Sequence, residues 1–125
     1  QTEALISDVE SQSQVPRDVL RLTIQRLKSS QAERVRYGCP IASACHEFSR
    51  AAPEAAKVAG ESFTLLAGLF ARQLTAMGQR PSVALTRARA LICEWQGGIA
   101  VAHALDDSQI LAEAFARMER MALQA

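Results

Sequence analysis

From Pro81 to Leu105 the chain carries no further proline and no turn signal. At ~1.5 Å per residue this stretch makes roughly 36 Å of continuous helix. Successive residues of a helix turn by about 100°, which sorts the side chains into sides. Leu91, Ile92, Trp95 and Ile99, flanked by Ala88 and Ala102, share one of them. Ala90, Cys93, Gly97, Ala100 and Ala104 share the opposite one. Arg89, Gln96 and His103 run along one edge between them, and Arg87 and Glu94 along the other. A surface helix shows a single apolar stripe. Two such stripes predict that both sides are covered, one by the chain's own core and one by a second copy. The alternative is that a single chain covers both. Periodicity does not say which side faces inward. The adjacent Gly97 and Gly98 each cost about 1 kcal/mol relative to Ala in a helix, so close packing or function should offset them.

The rest of the sequence points the same way. Aromatic residues are 5% of the chain, alternating apolar patterns are absent, and Ala, Leu, Gln, Glu and Arg dominate. These favour helix, and the predicted class is all-α, a bundle of about five helices. Residues 1–14 read as the end of a helix running into a loop. Pro16 suits a first helical turn, and Val19, Leu20, Ile24 and Leu27 form a stripe that ends at Lys28. The following "KSSQAER" reads as polar and exposed. Gly38 and Pro40 precede a short helix from Cys39 to Arg50, with Ile41, Cys45 and Phe48 on one side. Pro53 opens a longer helix whose Phe63, Leu66, Phe70, Leu74 and Met77 lie on one face, with Gly78 as its cap. Asp106, followed by Gln109, resembles a capping box. It opens a last helix with the stripe Leu111, Phe115, Met118 and Ala122.

Several function classes are disfavoured. A net charge of +1, with no cluster of Lys or Arg, makes this chain by itself a poor binder of nucleic acid. No apolar run approaches the ~18 residues of a membrane span. Cys39, Cys45 and Cys93 cannot all pair with one another, which suggests free thiols in a reducing compartment, the cytoplasm by default.

"YGCPIASACHEF" (residues 37–48) is the densest chemical stretch. Structural zinc sites space paired ligands by roughly two to four residues. Cys39 and Cys45 lie nearly two helical turns apart, and His46 diverges from Cys45 around the axis. The stretch therefore reads as a tightly packed short helix, and no metal or cofactor is expected. Cys39, near a helix N-terminus, leaves a thiol redox sensor as one alternative. No nucleophile elbow or phosphate-binding glycine loop is present, so catalysis has little support. Phe48, Phe63, Leu66, Phe70, Trp95 and Ile99 are candidates for an apolar cavity between helices. Cys45, His46, Gln96 and His103 would supply its polar contacts. The plain alternative is that the aromatic residues are core.

Taken together, "RYGCPIASACHEFS", "FTLLAGLFARQLTAMG" and "ALICEWQGGIAVAHALDDSQIL" resemble the C-terminal ligand-binding domain of TetR-family transcriptional regulators, in the LmrA/YxaF-like group. Members tend to show a Gly-Cys-Pro or Gly-Cys-Leu start, here Gly38, Cys39 and Pro40, followed by small residues and a glutamate, here Glu47. They later show "EGALLLARA", which aligns with Gln96 through Ala104, and then a "D..PL" pattern, here Asp107 to Leu111. The resemblance spans about residues 16–123. Gln96 stands where the family has glutamate and His103 where it has arginine, so two charges are lost along one edge.

The resemblance implies a repressor's sensor half in residues 15–125, with residues 1–14 as the tail of a connecting helix. The family's helix-turn-helix domain is expected to be absent from this chain, so that DNA is contacted only through such an N-terminal domain. It also implies a homodimer whose last two helices form a four-helix bundle. Ala90, Cys93, Gly97, Ala100, Ala104, Phe115 and Met118 are the candidate seam, and a small apolar or aromatic effector is the expected ligand. A helical interaction module without a ligand is the other alternative.

Overall fold

A computed structural model describes residues 2–124 and places seven helices among them, with no strand. They are α1 (Thr2–Gln12), α2 (Pro16–Lys28), α3 (Gln31–Tyr37), α4 (Pro40–Phe48), α5 (Pro53–Ala76), α6 (Pro81–Leu105) and α7 (Ser108–Leu123). The all-α expectation holds. Each of the chain's 4 prolines stands at the start of a helix, α2, α4, α5 or α6. There the missing N–H would have had no intrahelical partner, and the fixed φ is already helical.

The helix ends are set by a few residues. Gly78, at φ +106°, closes α5, with Gly78 N–H donating to the Thr75 carbonyl and Gln79 N–H to that of Leu74. This crossed pair caps the orphan carbonyls of the last turn. Asp106 is left-handed (φ 51°) and terminates α6 rather than opening α7. The residue that caps α7 is Asp107, whose Oδ1 accepts from the Gln109 N–H at 3.0 Å. The expected cap is thus displaced by one residue, because α6 uses Asp106 for its own exit. A second departure is α3: the polar "KSSQAER" reads as an exposed connection, yet a helix begins at Gln31 and buries Val35. A seven-residue helix with one buried side chain leaves too short a stripe to read from periodicity.

α6 lies at the centre, packed against α5, α7 and α3, while α2 packs on α7, α5 and α1. Its bulky side faces inward: Leu91, Trp95 and Ile99 are buried together with Ala84, Ala88 and Ala102. They share one core with Leu66, Leu69, Phe70 and Leu74 of α5, Leu111, Phe115 and Met118 of α7, and Val19, Leu20 and Ile24 of α2. Each such side chain contributes about 1.5–3 kcal/mol by leaving water, so truncating a central one such as Leu91 to Ala would cost about 2–5 kcal/mol. Gly98 sits on this inner side, close against Ala114 and Leu111 of α7.

Candidate functional site

Where α1, α3, α4, α5 and α6 converge they leave a cavity of about 320 Å³, at the small end of the range for small-molecule sites. Its position follows from the break between α3 and α4. Gly38, at φ +77°, turns the chain out of α3 and delivers Cys39 to the start of α4. His103 of α6 braces the turn: its Nδ1 lies 2.9 Å from the Val35 carbonyl, and its ring lies against Gly38. Gln96, one turn pair earlier on α6, donates from Nε2 to the Cys39 sulfur at 3.6 Å. Two α6 side chains therefore hold the hinge that forms one wall.

The other walls are mostly apolar. Phe63 and Leu66 come from α5, Trp95 from α6, Leu27 from α2, Leu5 from α1 and Ile41 from α4. Phe63 meets Trp95 edge-on, with ring centroids 6.1 Å apart and an interplanar angle of 81°. Trp95 is only 7% exposed, and its indole N–H has no hydrogen-bond partner. Arg34, Ser30, Ser62 and Thr2 supply polar groups to the lining.

Of the six residues expected to line a cavity, Phe63, Leu66 and Trp95 are brought together. The other three are not. Phe70 is fully buried below, in the core between the helices. Ile99 lines a separate, more open groove between α4 and α6. Phe48, at 39% exposed, ends α4, which lies on the surface against α5 and buries none of its residues. The reading of "YGCPIASACHEF" as a tightly packed helix is corrected accordingly. Cys45 is half-buried, its thiol 3.7 Å from the Ala56 carbonyl, while Ile41 reaches the cavity. His46, Gln96 and His103, expected as polar contacts of one pocket, gather in the α4–α6 groove with Gly97 and Ala100. Arg34 and Cys39 also line the cavity, beyond the residues the sequence pattern points to. Leu27 was visible as part of the α2 stripe, but nothing in the spacing around Arg34 marks it as facing inward.

The small-residue side of α6 faces outward. Ala90, Cys93, Gly97, Ala100 and Ala104 are all exposed, and a Cβ added at Gly97 would meet nothing within 4 Å. Val83 and Val101, each 47% exposed, extend this apolar strip. Phe115 and Met118 do not belong to it: both are 0% exposed, on the side of α7 that packs against α6 and α2. They cannot reach a neighbouring chain, because their own stripe already fills the core. Met121 of α7, half-buried, lies instead beside Val83 and Ala90 of the strip, and Ile110 is half-buried at the margin of the core. Arg117 Nε donates to Glu94 Oε1 at 2.5 Å, and Arg87 Nη1 to the Met121 carbonyl at 2.8 Å, tying α7 to α6 along this edge.

Cys39 is buried, Cys45 half-buried and Cys93 exposed. Among the described residues no three metal-ligating side chains come together, and no helix is long and apolar enough to cross a membrane. A family model described as the C-terminal domain of LmrA/YxaF-like transcriptional regulators matches residues 16–117. No curated protein matches the chain.

Proposed function

Since the chain belongs to the LmrA/YxaF-like family of TetR regulator C-terminal domains, we propose that it senses a small molecule and pairs with a second copy to control a DNA-binding domain. The observation that carries this reading is the composition of the cavity wall. Thr2 and Leu5 of α1 line the same space as Trp95 and Phe63. α1 packs only on α2 and α5 among its principal neighbours. An effector filling the cavity therefore touches the helix that, by the family resemblance, connects to the DNA-reading head. A ligand shifts an equilibrium only by its differential affinity for the two states. Here the difference would arise at α1: an effector needing more room than the resting cavity favours the arrangement with α1 displaced, and the repressor leaves its operator.

Pairing is assigned to the outward strip of α6, with Ala90, Cys93, Gly97, Ala100 and Ala104 at its centre and Val83, Val101, Ile110 and Met121 at its margins. Small residues let a second helix approach closely. An isologous contact of α6 and α7 with their copies would complete a four-helix bundle. In this reading the chain is not an enzyme, acts in the cytoplasm, and contacts DNA only through the N-terminal domain.

The test is a titration followed by Trp95 fluorescence, with sedimentation in parallel. Saturable quenching or shift of the emission by apolar aromatic compounds, in a dimeric protein, supports the proposal. A dimer with no response to any such compound would favour the interaction module. The burial of Cys39 against Gln96 speaks against a thiol sensor. Oxidant-dependent changes lost in Cys39→Ser would restore that alternative.

A further inference from the structure

We infer that the effector is an amphipathic anion: a compact apolar or aromatic body carrying a carboxylate, held by Arg34 with help from the Trp95 indole N–H. The inference rests on the effector reading above and adds the chemistry of the ligand. Arg34 is the one charged side chain among the described residues that line the cavity, and it is 18% exposed. Its ion pair is weak. The Arg34 Nη2 lies 3.5 Å from Glu33 Oε2, and Glu33 is 69% exposed, so water screens the partner. The Arg34 Nε is buried with no acceptor. On the same cavity, the Trp95 Nε1 is also buried with no acceptor.

Buried donors are almost always paired, because each forfeits a hydrogen bond it had with water. Two unpaired donors on one apolar space, one of them cationic, specify what is missing: an acceptor, preferably anionic. Both atoms lie under their neighbours, so a small rotation of each side chain must open them to the ligand. Such a rotation costs no hydrogen bond, since neither atom makes one. A guanidinium and a carboxylate are both planar and pair in a fork, and charge-assisted bonds are roughly twice as strong as neutral ones. The remaining lining, Leu5, Leu27, Ile41, Leu66 and the face of Phe63, suits a hydrocarbon body.

The test compares 2-naphthoate with its neutral isostere 2-naphthamide by calorimetric titration of the chain at neutral pH. The carboxylate is expected to bind about tenfold tighter. That advantage should vanish in Arg34→Met, which keeps an apolar stem of similar length, and should largely persist in Arg34→Lys. The amide should bind the parent and Arg34→Met alike, which also certifies that the variant cavity is intact. Equal affinity of the two compounds for the parent, or an advantage that survives Arg34→Met, overturns the anion inference and leaves the effector reading standing. Binding of neither compound, nor of naphthalene itself, overturns both.

Discussion

A Cβ built on Gly98 would lie 2.5 Å from the Cβ of Ala114 and 3.3 Å from a methyl of Leu111. The first distance is shorter than side-chain carbons pack, so the α6–α7 crossing exists in this form only because residue 98 has no side chain. The neighbouring Gly97 faces open space. Two adjacent glycines of one helix therefore serve different surfaces, one inside the chain and one outside.

Gly98→Ala should destabilise the fold. Overpacking costs roughly 1–3 kcal/mol, and the better helix propensity of Ala returns about 1 kcal/mol. A net loss of up to about 2 kcal/mol is expected in denaturant unfolding, partly restored by adding Ala114→Gly. A midpoint equal to that of the parent would mean that α7 shifts without cost.

Gly97→Leu should leave the single chain folded and disrupt the pair. A Cβ there meets nothing within 4 Å in its own chain, and the side chain would stand at the centre of the proposed seam. Sedimentation should move from dimer to monomer while the helical signal is unchanged. Dimers of parental affinity would place the seam elsewhere.

Phe115→Ala should behave in the opposite way. Phe115 is fully buried in the core, and truncation costs about 3–5 kcal/mol. The loss should appear in the unfolding of the monomeric Gly97→Leu background as fully as in the dimer. A loss seen only in the dimer would return Phe115 to the interface.

Asp107→Ala should cost about 1 kcal/mol by removing the cap that accepts from the Gln109 N–H. Asp106→Gly should not destabilise, because position 106 is left-handed and glycine adopts that region without strain. Thermal unfolding of the two variants separates the observed cap from the one first expected.

Much of the helical layout was legible because its signals are local. Prolines at 16, 53 and 81 mark helix starts through their own geometry, and Gly78 marks an exit through its φ. The stripes Val19–Leu20–Ile24–Leu27 and Leu111–Phe115–Met118–Ala122 are buried as their spacing implied. α3 was missed because one buried residue makes no pattern. The cavity was half legible: Phe63, Leu66 and Trp95 stood out as bulky residues on inward stripes. Phe48 shares their chemistry but sits where α4 leaves the core, and Arg34 carries a charge that normally marks solvent.

By itself the sequence determined an all-helical chain, the faces of its main helices and the two-sided character of α6, since a helix repeats its geometry every few residues and writes it into residue spacing. Only the tertiary structure decided which side of α6 turned inward, which glycine met α7, that Phe115 and Met118 belonged to the core, and that Arg34 faced a cavity. Those outcomes depend on where separate helices cross in space. Residues far apart in the chain set that crossing jointly through their shapes, and no local repeat encodes it.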